Sequence, residues 1–223
     1  MPAPAPGTIA VYADIGCPWA RLAVHRLGAA RARLGLEDIV HLDHRTFPLE
    51  LVNRRPTPKE ILDAEIPVVA GLAPEAGWST WRPPERLYPV TMLPAMEAVQ
   101  AAKAQGLSAS EQLDKALRTA FFRDCRCISI TAVVLDVASE CDRVDAAALE
   151  ADLARGRARS DVAPAPQGVQ GSPHLVLPDG SDVFNPGVEV EMLEGHIPRI
   201  RGSDPGVFDD LVRGAAAGGP RRC

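Results

Sequence analysis

Cys17 stands in the stretch "DIGCPWA", residues 14 to 20, directly before Pro18 and Trp19. An apolar run precedes it and a helical pattern follows it. Proline suits the first position of a helix because it has no N–H to leave unpaired. This puts Cys17 at a helix N-cap, where the orphan amides of the first turn and the positive end of the dipole face the sulfur. Both favour thiolate. The expected pKa is therefore below that of a free cysteine, and the thiol is a nucleophile near neutral pH. The competing reading is a small buried hydrophobe. Three residues on, where a dithiol motif has its second cysteine, stands Ala20.

The other chemistry-bearing residues are weaker candidates. Cys125 and Cys127 form a Cys-x-Cys near the end of a helical pattern. If helical, they point apart and do not bridge each other. They are expected to pack, the alternative being that one faces Cys17 as a resolving thiol. Cys141 reads as structural, and Cys223 as exposed on a disordered tail. His25 follows Cys17 by eight residues, about 12 Å along a helix, too far to act as its base. His41 and His44 point to opposite faces of a strand, which argues against a shared metal. Trp78, Trp81, Arg82, Arg86 and Tyr88 crowd a proline-rich stretch. They suit a pocket for a ligand with apolar and anionic parts, or they staple the loop to its neighbours.

The elements that must position these residues follow from pattern. The β-branched run "TIAVYADI" (8–15) is a short buried strand. Trp19, Leu22, Ala23, Arg26, Leu27, Ala30 and Leu34 then recur at threes and fours, and Gly35 closes a helix. Residues 38–47 alternate as a second strand, parallel to the first because a helix intervenes. Between Pro48 and Pro94 the pattern dissolves into an irregular stretch with one or two helical turns, a functional loop or a lid. Four helices follow, at 94–106, 108–124, 129–141 and 145–159, the second opening on a capping box of Ser108 and Glu111. "HLVL" and "SDVF" flank "PDG", a hairpin signal. "NPG" at 185–187 reads as a turn, and a helix starts at Asp204 and Pro205. The order β-α-β, helical block, β-β, α is an α/β core interrupted by a helical insertion.

The bulk numbers agree with a globular chain. Of 223 residues, 46% are hydrophobic and 24% charged, and the net charge is −5. There is no basic stripe to suit nucleic acid and no apolar run long enough to span a membrane. "MPAPAPGT" has no basic n-region and no apolar h-region. The expected compartment is the cytoplasm, where cysteines are mostly reduced.

"ADIGCPWARLAVHRL" at the first strand–helix junction, a long helical insertion and "GSPHLVLPDG" before a hairpin form one constellation. On these residues the sequence resembles the DsbA family of thioredoxin-like proteins, particularly its FrnE-like branch. It is also similar to kappa-class glutathione transferases and 2-hydroxychromene-2-carboxylate isomerases. The resemblance covers about residues 8–215. It implies an α/β, thioredoxin-like fold with an inserted all-helical domain. The thioredoxin part would span 1–65 and 164–215, the insertion 66–163 and the tail 216–223. It implies that Pro173 is a cis-proline facing Cys17. Pro18, Trp19, Ala20, Ser172, Pro173 and His174 would then line the site, with His174 tuning Cys17 or turning into the sheet. Trp78, Trp81, Arg82 and Tyr88 are the expected substrate pocket.

The implied activity is thiol–disulfide oxidoreduction through a single thiol, with no tightly bound cofactor and no metal. Without a second cysteine, release of a mixed disulfide needs an external thiol, glutathione or mycothiol, acting with a small-molecule or protein disulfide. The alternatives are a kappa-like transferase or isomerase, and a redox-inactive binding or holdase module. Many relatives are dimers, so a homodimer is compatible with the resemblance. No nucleic-acid or membrane partner is expected.

Overall fold

The computed structural model describes residues 2–164, 166–194 and 197–218. Its centre is a four-stranded sheet in the order β2-β1-β3-β4. Strand β1 (Thr8–Ala13) is buried throughout and pairs parallel to β2 (His41–Thr46), with Thr8 opposite His41. Between them runs α1 (Pro18–Leu34), closed by Gly35 in the left-handed region at φ 67°. A β-carbon there would be strained, so glycine ends the helix at little cost. Strand β3 (His174–Val176) pairs antiparallel to the other edge of β1, and β4 (Asp182–Phe184) completes the hairpin.

Strand alternation splits the sheet into two faces. Ile9, Val11, Leu42 and Leu175 face α1 and the last helix, α8 (Val207–Ala217), whose Phe208 and Val212 are buried against them. Ala10, Tyr12 and Val176 face the other way. In the turn before α8 the Asp204 carboxylate accepts the Gly206 N–H at 2.8 Å.

A second core holds the inserted helices: α4 (Leu93–Ala101), α5 (Leu107–Phe122), α6 (Thr131–Ser139) and α7 (Ala146–Ala154). Leu113, Leu117, Phe122 and Ile128 lie at its centre. The expected capping box is not formed. α5 begins one residue early at Leu107, so Ser108 lies inside the first turn, and Gly106 occupies the N-cap.

Two segments differ from the sequence reading. The proline-rich stretch holds a short helix, α2 (Leu49–Val52), and a full one, α3 (Lys59–Ala70), which runs through the expected boundary at 65. Pro67 sits inside α3 and cannot donate to the carbonyl four residues back. Leu62, Ile66 and Val69 still form a buried helical stripe, and their burial holds the helix across the proline. Beyond the turn at 185–187, β5 (Val188–Leu193) and β6 (Ile197–Ser203) form a separate antiparallel hairpin. The helix α8 extends to Ala217, into the expected tail, and Cys223 lies outside the described residues. No described helix is long and apolar enough to cross a membrane.

Candidate active site

Cys17 is the N-cap residue of α1, with extended backbone (φ −84°, ψ 120°) and Pro18 at N1. The loop carrying it is pinned at several points. The Asp14 carboxylate accepts the N–H of Gly16 at 2.7 Å and of Leu49 at 2.8 Å. It thereby joins the end of β1 to the start of α2. From α5, the Arg118 guanidinium donates to the carbonyls of Asp14 (3.0 Å) and Ile15 (3.3 Å) while held by Asp114 at 2.8 Å. Met92 roofs the loop so closely that a β-carbon at Gly16 would lie 2.9 Å from its Cε. A side chain at this position would displace Met92.

The segment Gly171–His174 meets this loop from the far end of the chain. The Ser172–Pro173 peptide is cis. The Cys17 thiol donates to the Ser172 carbonyl at 3.3 Å, and the Ser172 hydroxyl accepts the Asp14 N–H at 2.9 Å. The Pro173 carbonyl accepts from Asn185 at 2.9 Å. Pro18 and Ala20 are buried beside Cys17, and half-buried Trp19 hydrogen-bonds Glu65 of α3.

The acidity of Cys17 is opposite to the sequence expectation. The residue is only 4% exposed. Burial, and then the neighbouring Glu65 carboxylate, push the thiol up to about 12, with Asp14 adding to the rise. Hydrogen bonds from Ser172 and the Ala20 N–H oppose this but do not overcome it. A helix N-terminus favours thiolate only where the charge is also solvated or paired. Here water is excluded and the nearest charges are carboxylates. Burial likewise raises Asp14 to about 6 against its two backbone hydrogen bonds and Arg118, and raises Glu65.

His174 does not face the thiol. It is fully buried on the sheet face of Tyr12 and Val176, opposite α1, where Nδ1 accepts the Gln170 N–H at 3.2 Å. Its Nε2 lies 3.1 Å from the Asp182 carboxylate. It takes the packing role, because its strand position sets its face.

The aromatic group of the proline-rich stretch acts as a staple. Trp78 donates to the Ala73 carbonyl at 2.8 Å and packs edge-on to Phe122. Trp81 packs edge-on to Tyr88 and tilted on Phe121. The space left among Trp81, Tyr88, Phe121 and Phe122 is about 10 Å³, room for one water. Arg82 is exposed and reaches only the Arg123 carbonyl, while Arg86 is exposed. These residues therefore do not form the expected substrate pocket.

Cys125 and Cys127 lie past the end of α5, not on it. Cys125 has φ 55° and its thiol meets the Thr80 carbonyl at 3.5 Å. Both pack on the helical core, whereas Cys17 packs on the sheet core. Cys141 is buried against its own helix. His25 is on the surface with Glu75 at 2.8 Å. His41 and His44 do face opposite sides of β2, and His44 is buried 3.6 Å from Asp114.

Asp14, Glu65, Met92 and Arg118 were not singled out from sequence. Asp14 carried a signal, a lone acid at the end of an apolar strand three residues before the thiol. The other three carried none, since they arrive from α3 and the inserted helices through tertiary packing.

No family model matches the chain, and no curated protein matches it. Among solved structures it is similar to the cytosolic disulfide reductase DsbM from Pseudomonas aeruginosa, at 19% identity and TM-score 0.56, over 94% of this chain and 95% of that one. The same protein solved with GSH superimposes at TM-score 0.58. A probable DsbA oxidoreductase from Streptomyces coelicolor aligns at 20% identity and TM-score 0.63, over 97% and 91%. The chain has the DsbA-like form of the thioredoxin fold, an α/β sheet domain interrupted by helices.

Proposed function

We propose that the chain is a single-thiol oxidoreductase of the DsbA-like type, working through Cys17 with a low-molecular-weight thiol, glutathione or mycothiol. The observation that carries this reading is the meeting of the Cys17 thiol, at the head of α1, with the cis Ser172–Pro173 segment. The solved relative with GSH supports a small thiol as partner. In the proposed cycle, the Cys17 thiolate attacks one sulfur of a substrate disulfide, of a small molecule or a protein. A mixed disulfide forms between Cys17 and one half of the substrate, and the other half leaves as thiolate and takes up the proton that Cys17 lost. Ala20 cannot resolve that disulfide. A small thiol attacks the substrate sulfur in it, expelling the Cys17 thiolate and leaving as a disulfide with that half of the substrate. Pro18, Trp19, Ala20, Ser172 and Pro173 line the reacting sulfur in this reading, and the proposed compartment is the cytoplasm.

Burial of Cys17 and its rise to about 12 favour a second reading, a redox-inactive binding module. Mass spectrometry after incubation with oxidised glutathione separates the two, with Cys17→Ala as control. The oxidoreductase reading expects an adduct on Cys17 that reduced glutathione removes. No adduct in a folded protein, at any pH up to 9, leaves the binding module.

A further inference from the structure

Between α1, α5 and the start of β2 the surface opens into a groove of about 370 Å³, within the size range of small-molecule sites. It shares one lining residue with the thiol site, Arg118, whose guanidinium is already taken by Asp114 and the carbonyls of Asp14 and Ile15. Its walls carry Val24, Ala29 and Leu42. Its floor includes Gly28, where an added β-carbon would meet no atom within 4 Å.

Two cations at this groove have no ion-paired carboxylate among the described residues. Arg21 is 5% exposed and spends three of its N–H groups on backbone carbonyls, Ala76 at 2.7 Å, Gly77 at 2.8 Å and Arg118. Its guanidinium lies over the rings of Trp78 (4.9 Å) and Phe122 (5.4 Å), and its Nε has no hydrogen-bond partner. Among the described residues no carboxylate pairs with it. A buried charge held mainly by dipoles and ring faces is costly. The neighbouring guanidiniums of Arg118 and Arg123 add like-charge repulsion, opposed by the more weakly felt Asp124 carboxylate. Lys115, exposed on α5, is also without an ion pair among the described residues. Of the two lining carboxylates, Glu111 is taken by Arg31 and Glu37 is exposed.

We propose that this groove binds a small organic anion, its acidic group balanced by Arg21 and Lys115 and its apolar body laid along the Gly28 face of α1. The inference is independent of the thiol chemistry, since neither Cys17 nor Pro173 takes part.

The test is a fluorescence titration of the full chain with 8-anilinonaphthalene-1-sulfonate, an aromatic sulfonate. Comparison is with Gly28→Phe, whose β-carbon enters open space at the floor, with Lys115→Glu, and with Cys17→Ala, all checked for native circular dichroism. Saturable one-to-one binding is expected. Gly28→Phe should weaken it about tenfold and Lys115→Glu about fivefold, the latter effect shrinking in high salt. Cys17→Ala should leave it unchanged. Absence of saturable binding overturns the proposal. So does binding indifferent to Gly28→Phe, which would be diffuse surface association. Sedimentation as a dimer that Gly28→Phe dissociates also overturns it, by assigning the groove to a second copy.

Discussion

Protonation of Asp14 is tied to folding. Its carboxyl titrates near 6 in the folded chain against 3.8 when unperturbed. A raised folded value means that the native state binds the proton more tightly than the unfolded chain. The associated stability, about 3 kcal/mol, is complete below about pH 4 and lost as pH rises through 6. Asp14→Asn should remove this slope, because the amide does not ionise. Urea unfolding at pH 4, 5, 6 and 7 checks it, and the same slope in both proteins would remove Asp14 from this role. Glu65 acts on Cys17 with the same sign, a carboxylate that disfavours a second negative charge. Glu65→Gln should lower the thiol and speed iodoacetamide alkylation of Cys17 at pH 9 by about threefold to tenfold. An unchanged rate would show that burial alone sets the acidity.

Helix α1 and the strands around it are legible in the sequence because their signals are local. The three- and four-residue spacing of Ala23, Leu27, Ala30 and Leu34, Pro18 at the start and Gly35 at the end all lie within one element. Helix α3 was obscured by Pro67, since a proline is weighed locally while the stripe Leu62, Ile66 and Val69 gains its energy from neighbours. The β5–β6 hairpin was missed although Val188, Glu189, Val190 and Glu191 alternate. Helix α5 contributes Arg118, which grips the loop before Cys17. Arg118→Ala strands the buried Asp114 carboxylate and bares two loop carbonyls. It should cost about 3–5 kcal/mol by chemical denaturation, and expose Cys17 to faster alkylation. Arg118→Lys keeps the charge but loses the planar fork, and should fall between. A loss below 1 kcal/mol in Arg118→Ala would contradict this account.

The sheet core and the helical core are joined by buried polar bridges as well as by chain connections. Arg31 of α1 pairs with Glu111 of α5, and Gln100 of α4 donates to the His44 carbonyl of β2 at 3.0 Å. The two cores should therefore lose structure together. Leu113→Ala, inside the helical core, should destabilise by about 2–5 kcal/mol. It should shift the urea midpoints of tryptophan fluorescence and far-ultraviolet circular dichroism equally. Separated midpoints would show that the insertion unfolds on its own.

The sequence by itself determined the first β-α-β unit, an α/β core interrupted by a helical block, and the place of Cys17 at the head of α1. These follow from periodicity, capping and the positions of proline and glycine, which act over a few residues. Only the tertiary structure decided the state of that thiol. Solvent exclusion, the carboxylates of Glu65 and Asp14, the Ser172 carbonyl and the grip of Arg118 reach Cys17 from distant parts of the chain. A charge responds to everything around it in space, and "DIGCPWA" contains only the near half of that environment.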